Sequence, residues 1–312
     1  MTSRGTTRRS LLAATGATLV GSVAGCLAGG RESVAVLSAG SLATAFEKHV
    51  GPAFADETGV DLRGEYYGTN AIVRMVVEGT KAPDVVVSAD ATLLRDRLYD
   101  EFATWDLEFA ANSVGIAYDP DTSFGAALDA GEPWYDLLLA SDPGDVVVGD
   151  PDLDPLGYRA VQAFDLAERV HDRPGFREAA LERVVEEPDE PQMLAGVESG
   201  SRAAAIVYRN MAVDHGVAFQ TFPDAYNFAD PARADWYATA SYAPEGEDPI
   251  EGRPVVYNTT VLGSADAPDA ARTLVSFLAE RPDLLEGAGL TVSDDLPRLH
   301  GDAPAALSDL PT

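Results

Sequence analysis

The sequence contains little cysteine, lysine and histidine. One cysteine, Cys26, and two lysines, Lys48 and Lys81, occur among 312 residues, so arginine supplies most of the positive charge. A single cysteine excludes an intramolecular disulfide and a metal site made of several thiolates. The four histidines lie far apart in the sequence and lack the spacing of metal ligands. They are His49, His171, His215 and His300.

Sequence motifs of catalysis are absent as well. The chain has no phosphate-binding G-x-x-x-x-G-K-[ST] loop, no zinc-binding H-E-x-x-H motif and no G-x-S-x-G turn of a serine hydrolase. The scattered histidines also provide no obvious base for a serine nucleophile. We therefore expect a protein that is not an enzyme and that needs no cofactor.

Basic residues are few relative to acidic ones. The chain has 51 acidic and 22 basic residues and a formal net charge of −29. So acidic a surface is a poor partner for nucleic acid, and its self-repulsion is screened in molar salt, where the Debye length is about 3 Å. Hydrophobic residues make up 46% of the chain, which is too many for a disordered protein. The composition indicates a folded protein from a salt-loving organism.

The N-terminus has the features of an export signal. Arg8 and Arg9 form a twin-arginine pair, and the apolar run after them is shorter than the roughly 20 residues that span a bilayer. The run ends in Val-Ala-Gly-Cys26, where lipoprotein signals place the residue that is lipidated. We predict that residues 1–25 are a twin-arginine lipoprotein signal peptide and that Cys26 carries the lipid. Residues 26–32 then tether an extracellular protein to the outer face of the membrane.

Short apolar strands alternate with helical patterns in the rest of the chain. The segments 34–37 and 84–88 are examples, since each is apolar and precedes a helical pattern. Strands that alternate with helices in this way form largely parallel sheets. We predict an α/β fold of two lobes, each a mixed, mostly parallel sheet flanked by helices, with the second lobe inserted into the first. A ligand cleft between the lobes is implied by the family resemblance given below. Residues 33–109 and 265–312 are assigned to the first lobe, and 110–264 to the second.

Small hydroxyl residues follow several of the predicted strands. Ser41, Thr69 and Ser88 occupy such positions, and Gly40 and Gly68 precede two of them. Ligands of open α/β sheets bind beyond the carboxyl ends of the strands, where helix N-termini favour an anion. An alternative role for each hydroxyl is to cap the helix that follows it. Their convergence on one edge of a sheet predicts an anion site.

Four segments carry a resemblance to a known family. They are Val-Leu-Ser-Ala-Gly-Ser41-Leu, Pro-Asp-Val-Val-Val-Ser-Ala-Asp90, Asp-Leu-Asp-Pro-Leu-Gly-Tyr-Arg159 and Ile-Val-Tyr208-Arg. On these segments the chain resembles the tungstate/molybdate-binding proteins of ABC importers over nearly all of residues 33–290. The third segment, which looks like a ligand loop of the second lobe, is the most specific of the four.

The resemblance implies a type II solute-binding lipoprotein whose lobes close on one oxyanion. It implies a monomer that delivers molybdate or tungstate to the permease and ATPase subunits of an ABC transporter. The ligand-binding residues that it implies are Ser41, Thr69, Ser88, Asp154, Gly157 and Tyr208. Sulfate is an alternative ligand because it has the same tetrahedral oxygens. An exported hydrolase of phosphorylated or sulfated compounds is the alternative from another functional class.

One departure from the family concerns the coordination of the metal. The tungstate-binding branch supplies two carboxylates, of which Asp154 matches the first, whereas Val207 stands at the position of the second. We therefore expect hydrogen-bonded tetrahedral binding, with the Asp154 carboxylate as the one possible contact to the oxyanion's metal. An Asp-Pro sequence also often only begins a turn. Arg74 and Arg159 lie near the proposed site and either neutralise the anion or form structural ion pairs.

Overall fold

The computed structural model describes most of the chain that follows the predicted signal. The described residues are 31–188, 190–244, 246, 248–293 and 295–307. The predicted signal peptide 1–25, the predicted lipidation site Cys26 and most of the tether lie outside them. None of the helices in this described part combines the length and the apolar composition that a bilayer-spanning helix needs.

The strands are numbered along the chain. They are β1 Ser33–Ala39, β2 Asp61–Tyr67, β3 Val85–Ser88, β4 Trp105–Ala111, β5 Val114–Tyr118, β6 Val146–Gly149, β7 Val185–Glu187, β8 Ala204–Tyr208, β9 Ala218–Thr221, β10 Ser241–Tyr242, β11 Ile250–Glu251, β12 Val256–Val261 and β13 Arg298–Gly301. The short strands β10 and β11 pair only with each other, and the remaining strands form two larger sheets.

The helices are numbered in the same way. They are α1 Gly51–Thr58, α2 Thr69–Val77, α3 Ala91–Leu98, α4 Ser123–Asp129, α5 Trp134–Ala140, α6 Pro155–Val170, α7 Phe176–Leu181, α8 Glu190–Glu198, α9 Arg209–His215, α10 Ala234–Tyr237, α11 Pro268–Glu280 and α12 Pro282–Gly287. A π-helical segment, Ala45–Val50, leads into α1. The change of helix type coincides with Gly51 and Pro52, because proline cannot donate a hydrogen bond to the preceding turn.

The first sheet has the strand order β13-β4-β12-β3-β1-β2. β1 runs parallel to β2 and β3, whereas β12 runs antiparallel to its neighbours β3 and β4. The boundary predicted at residue 264 is therefore too late, since β12 already lies in the first sheet rather than in the second lobe. Local apolar pattern predicts that Val256–Val261 is a strand, but it does not encode the sheet in which the strand pairs.

The second sheet has the strand order β7-β6-β8-β5-β9. β6 runs parallel to β7 and β8, and β5 runs antiparallel to β8 and β9. All residues of β6 and β8 are buried, as expected for strands covered on both faces. The prediction of an α/β fold with two mixed sheets flanked by helices is confirmed. We call the parts built on the two sheets the first and the second lobe.

A buried carboxylate connects three elements of the first lobe. Asp84, 4% exposed, precedes β3 and accepts hydrogen bonds from the backbone N–H groups of Ala35 at 2.8 Å and Ala267 at 2.9 Å. Ala35 lies in β1, and Ala267 is the N-cap residue of α11. A charged acceptor at a helix N-terminus also interacts favourably with the helix dipole. Asp84 thus fixes α11 to the centre of the first sheet.

Replacing Asp84 tests this connection. We expect Asp84→Ala to lower the free energy of unfolding by about 2–4 kcal/mol, because two N–H groups lose a charged acceptor. The measurement is urea unfolding in molar KCl. Asp269→Ala is the matched control, since the Asp269 side chain is 94% exposed and its pair with Arg272 contributes at most about 1 kcal/mol. Equal losses in the two variants would contradict the role of Asp84.

Candidate functional site

The two lobes meet where strands of both sheets end. β1 leads into Ser41 and β3 ends at Ser88 in the first lobe, while β8 ends at Tyr208 in the second. All six residues that the sequence predicts as ligands are buried at this junction. The structure thus brings residues from distant parts of the chain to one interface between the lobes, although each has a different local role.

The backbones of the two lobes come into contact around Gly68. The N–H of Ala71, in α2, donates to the carbonyl oxygen of Leu153 at 3.3 Å, and the amide of Asn70 donates to that of Asp152 at 3.3 Å. A Cβ atom at Gly68 would overlap the same Leu153 oxygen. Gly68 has a φ of −58°, which any residue adopts, so glycine is required here for space.

A chain of hydrogen bonds joins Thr69 of the first lobe to Tyr208 of the second. The Thr69 hydroxyl oxygen accepts from the N–H of Ala89 at 3.0 Å. The carbonyl oxygen of Ala89 accepts from Nη1 of Arg159 at 3.0 Å, and the same nitrogen donates to the Tyr208 hydroxyl at 2.8 Å. The backbone of one residue and one guanidinium therefore set the separation of two predicted ligand residues.

Asp90 is the acidic partner of this network. Its Oδ2 atom accepts from the Tyr158 hydroxyl at 2.6 Å and pairs with Nη2 of Arg159 at 3.3 Å, while Oδ1 caps the N-terminus of α3. Burial alone would raise the pKa of Asp90, but the charges of Arg159 and Arg253 and the Tyr158 hydroxyl hold that pKa below its usual range. The carboxyl group is therefore ionised. Of the two roles considered for Arg159, the structure shows structural ion pairing.

A second network holds Ser41. The Tyr257 hydroxyl donates to Oγ of Ser41 at 3.0 Å and accepts from the side-chain amide of Asn112 at 3.1 Å. That amide also donates to Oδ1 of Asn210 at 2.7 Å, and Asn210 in turn donates to the carbonyl oxygen of Ser41 at 2.6 Å. The Tyr257 and Tyr208 rings pack with their centroids 6.3 Å apart, which connects the two networks. Sequence analysis did not assign Asn112, Asn210 or Tyr257 to the site.

The hydroxyl groups differ in how they use their protons. Ser41 and Thr69 accept hydrogen bonds from protein donors, so each keeps its own proton for another acceptor. Arginine cannot accept, so the Tyr208 proton is likewise directed away from Arg159. Ser88 is different, because its oxygen accepts from the N–H of Asp90 at 2.9 Å and donates to the Asp90 carbonyl at 2.7 Å. The Ser88 proton therefore stays within its own turn.

Asp154 and Gly157 shape the N-terminus of α6. Asp154 is the N-cap, with Oδ1 accepting from the N–H of Leu156 at 2.9 Å. A Cβ atom at Gly157 would lie 2.5 Å from the carbonyl oxygen of Gly149, so glycine lets α6 begin directly against the end of β6. Val207, at the position of the second family carboxylate, is fully buried in β8. Across the described residues, no group of three or more acidic, histidine or cysteine side chains is placed to hold a metal ion.

A pocket of about 390 Å³ opens beside Ser41 and is also lined by Asp214 and His215. Burial raises the pKa of Asp214 to about 6, and the charges of His49, His215 and Lys48 offset this only in part. The folded protein therefore binds a proton at Asp214 more tightly than the unfolded chain does. Stability falls as the pH rises from the ordinary aspartate range to about 6, and this contribution is constant above that pH.

A neutral side chain at position 214 removes this pH dependence. We expect Asp214→Asn to raise the melting temperature by about 2 °C at pH 8 and by less at pH 5. The measurement is thermal unfolding followed by circular dichroism in molar KCl at both pH values. Asp266→Asn, at an exposed position, is the control and should show no such change with pH. An effect of Asp214→Asn that is equal at pH 5 and pH 8 would rule out titration of this carboxyl group.

Two proteins that are similar to this chain over nearly its whole length are named as binding proteins. The chain is 49% identical to a solute-binding protein of Halobacterium salinarum, over 96% of this chain and 97% of the relative. It is 36% identical, over 95% of each chain, to a Haloferax volcanii protein that is named as an ABC transporter molybdenum-binding protein. Both relatives span essentially the whole chain.

A solved structure of similar fold is the periplasmic molybdate-binding protein of Azotobacter vinelandii. It superposes with a TM-score of 0.63 and 15% identity, and the match covers 84% of this chain and 100% of that one. At this identity the likeness concerns the fold alone, which is that of the type II periplasmic binding proteins. Residues 34–290 match the model of the bacterial extracellular solute-binding proteins. The chain therefore belongs to this family, whose members bind solutes and are not enzymes.

Proposed function

We propose that this protein captures molybdate or tungstate outside the cell and delivers it to an ABC transporter. The name of the Haloferax volcanii relative supports this choice of ligand. Its partners are then the permease and ATPase subunits of the transporter. We also propose that the protein acts as a monomer held at the outer face of the membrane by a lipid on Cys26.

The observation that carries the proposal is the state of the hydroxyl groups between the lobes. Ser41 and Thr69 each accept a hydrogen bond from the protein, at 3.0 Å in both cases, which leaves their protons for an external acceptor. Such an acceptor has oxygens that carry negative charge and no protons of their own. Molybdate, tungstate and sulfate meet this description at neutral pH.

Charge around the site supports an anionic ligand. The N-terminus of α2 begins at Thr69 and that of α6 follows Asp154, and helix N-termini carry a partial positive charge. Nε of Arg159 is buried and has no hydrogen-bond acceptor among the described residues, so one N–H of a charged group remains available. The charge of Arg159 is offset by Asp90, and Arg253, the second arginine beside that carboxylate, is partly exposed to water, so an anion is held chiefly by dipoles.

The residues near the ligand favour tetrahedral coordination. Val207 has no ligating atom, and Asp154 uses one carboxylate oxygen to cap α6. An expanded coordination shell with two protein carboxylates thus lacks its second ligand. We propose that the oxyanion keeps four oxygens and is recognised through hydrogen bonds to them.

Calorimetric titration with tungstate, molybdate and sulfate in molar KCl tests the function. High salt screens non-specific attraction and repulsion. We expect one anion per protein for tungstate and molybdate, with much weaker binding of sulfate. Preference for sulfate would make the protein a sulfate-binding member of the family. Folded protein that binds none of the three would refute oxyanion binding.

Variants at Thr69 test the role of its hydroxyl. We expect Thr69→Val to weaken tungstate binding about 10- to 100-fold, because a hydrogen bond to a charged group contributes about 1.5–3 kcal/mol. Thr69→Ser keeps the hydroxyl and should bind nearly as the parent does. Thr69→Val also removes the acceptor of the Ala89 N–H. The titrations are therefore done well below the melting temperature of this variant. Equal affinities of the valine and serine variants would show that the hydroxyl does not bind the anion.

A further inference from the structure

An ion pair withdrawn from water lies across the boundary between the lobes. Asp90 follows β3 in the first lobe, and Arg159 lies in α6 of the second. Asp90 is 1% exposed and Arg159 is not exposed at all. Most other ion pairs of the described residues have at least one substantially exposed partner, as in the pair of Arg31 with Asp61.

Three hydrogen bonds cross the boundary at this point. Two come from Arg159, to the Asp90 carboxylate at 3.3 Å and to the Ala89 carbonyl at 3.0 Å. The third comes from the Tyr158 hydroxyl, which donates to Asp90 at 2.6 Å. Opening of the cleft separates α6 from the turn after β3 and breaks all three. The ionised groups then return to water, where each is hydrated separately.

We propose that Asp90 and Arg159 are positioning residues of the anion site, because their pair stabilises the closed cleft and aligns its hydrogen-bond donors. Arg159 bonds to Tyr208 directly and reaches Thr69 through the backbone of Ala89. Closure of the cleft therefore places the hydroxyls of Thr69 and Tyr208 at a fixed separation. The choice of ligand rests on the proposed function, whereas closure of the cleft can be measured independently of it.

Burial determines how this pair behaves. A charge buried without its partner is strongly unfavourable. Asp90→Asn removes the carboxylate that pairs with Arg159, whereas Arg159→Met leaves Asp90 with Arg253, which is partly exposed and 3.8 Å away. Salt weakens exposed ion pairs, since the Debye length in molar salt is about 3 Å, but it weakens a buried pair much less. The pair of Asp90 and Arg159 thus joins the lobes under salt conditions in which exposed pairs contribute little.

The experiment compares Asp90→Asn, Arg159→Met and the double variant in the full chain carrying Cys26→Ser. Spin labels on cysteines introduced at the exposed residues Glu78 and Glu178 report the distance between the lobes. Each single variant should lengthen that distance and weaken tungstate binding at least about 100-fold. The loss of binding free energy for tungstate in the double variant should be smaller than the sum of the losses in the two single variants, because neither charge then remains buried alone.

Two further variants separate positioning from general stability. Arg95 forms a two-point ion pair with Asp106 inside the first lobe, at 2.8 Å for both contacts. Arg95→Met should lower the melting temperature but leave the label distance and the affinity unchanged. Arg159→Lys keeps the charge beside Asp90 but cannot reach all three Arg159 partners at once. It should therefore keep the cleft closed, with weaker tungstate binding, and it provides a test if Arg159→Met does not fold.

The outcomes distinguish the two proposals. If the parent protein binds no oxyanion, the proposed function fails, and the label distances alone decide whether the pair closes the cleft. Parental distances in Asp90→Asn, together with parental distances in any folded Arg159→Met, would overturn the role of the pair in closing the cleft, and parental tungstate affinity in Arg159→Lys would overturn its role in aligning the donors. A loss of tungstate-binding free energy in the double variant that equals the sum of the two single losses would also overturn the inference, since the two charges would then act independently.

Discussion

Asp90 and Arg159 are withdrawn from water at the point where the two sheets meet, and the polar groups around them compensate for that desolvation. Tyr158 donates to the carboxylate, and the backbone of α3 is capped by it. The guanidinium is in turn held by a carbonyl group and by Tyr208. Because a buried charge must be satisfied from several directions, the ion pair fixes the relative positions of a strand end, two helices and a candidate ligand residue.

Local sequence was sufficient to predict the strands whose residues are apolar and buried throughout. β3 lies within the predicted segment 84–88, and the helical pattern predicted after that segment is α3. β4 was not predicted, because its buried face includes Asp106 and Glu108, which look like surface residues in the sequence. Their burial depends on arginines outside the strand, namely Arg95 for both and Arg298, 190 positions away, for Glu108, and no local pattern contains that information. The position of β12 within the first sheet was missed because local pattern does not encode which strands pair.

The residues of the candidate site also fall into those that local sequence predicts and those that it does not. Hydroxyls at strand ends, and the glycine before Thr69, were recognisable because they follow apolar strands directly. Asn112 and Tyr257 were not, since their bond joins residues 145 positions apart in the sequence. The structure gives Ser88 a local bond within its turn, whereas the cap of α3 is Asp90 rather than the serine that the sequence suggests. Residue type thus indicates which side chains can donate a hydrogen bond, whereas the fold determines which of them still have a proton to donate to a ligand.

The place of β12 in the first sheet bears on how the chain acquires its structure during synthesis. β3 and β4 are not neighbours, because β12 lies between them and pairs with both. The whole second sheet is encoded between β4 and β12, so the ribosome completes that lobe while the first still has an open gap in its sheet. Late strands of this kind raise the sequence separation of native contacts and slow folding. The sheet of the first lobe is therefore completed only after the chain has been made beyond Val261.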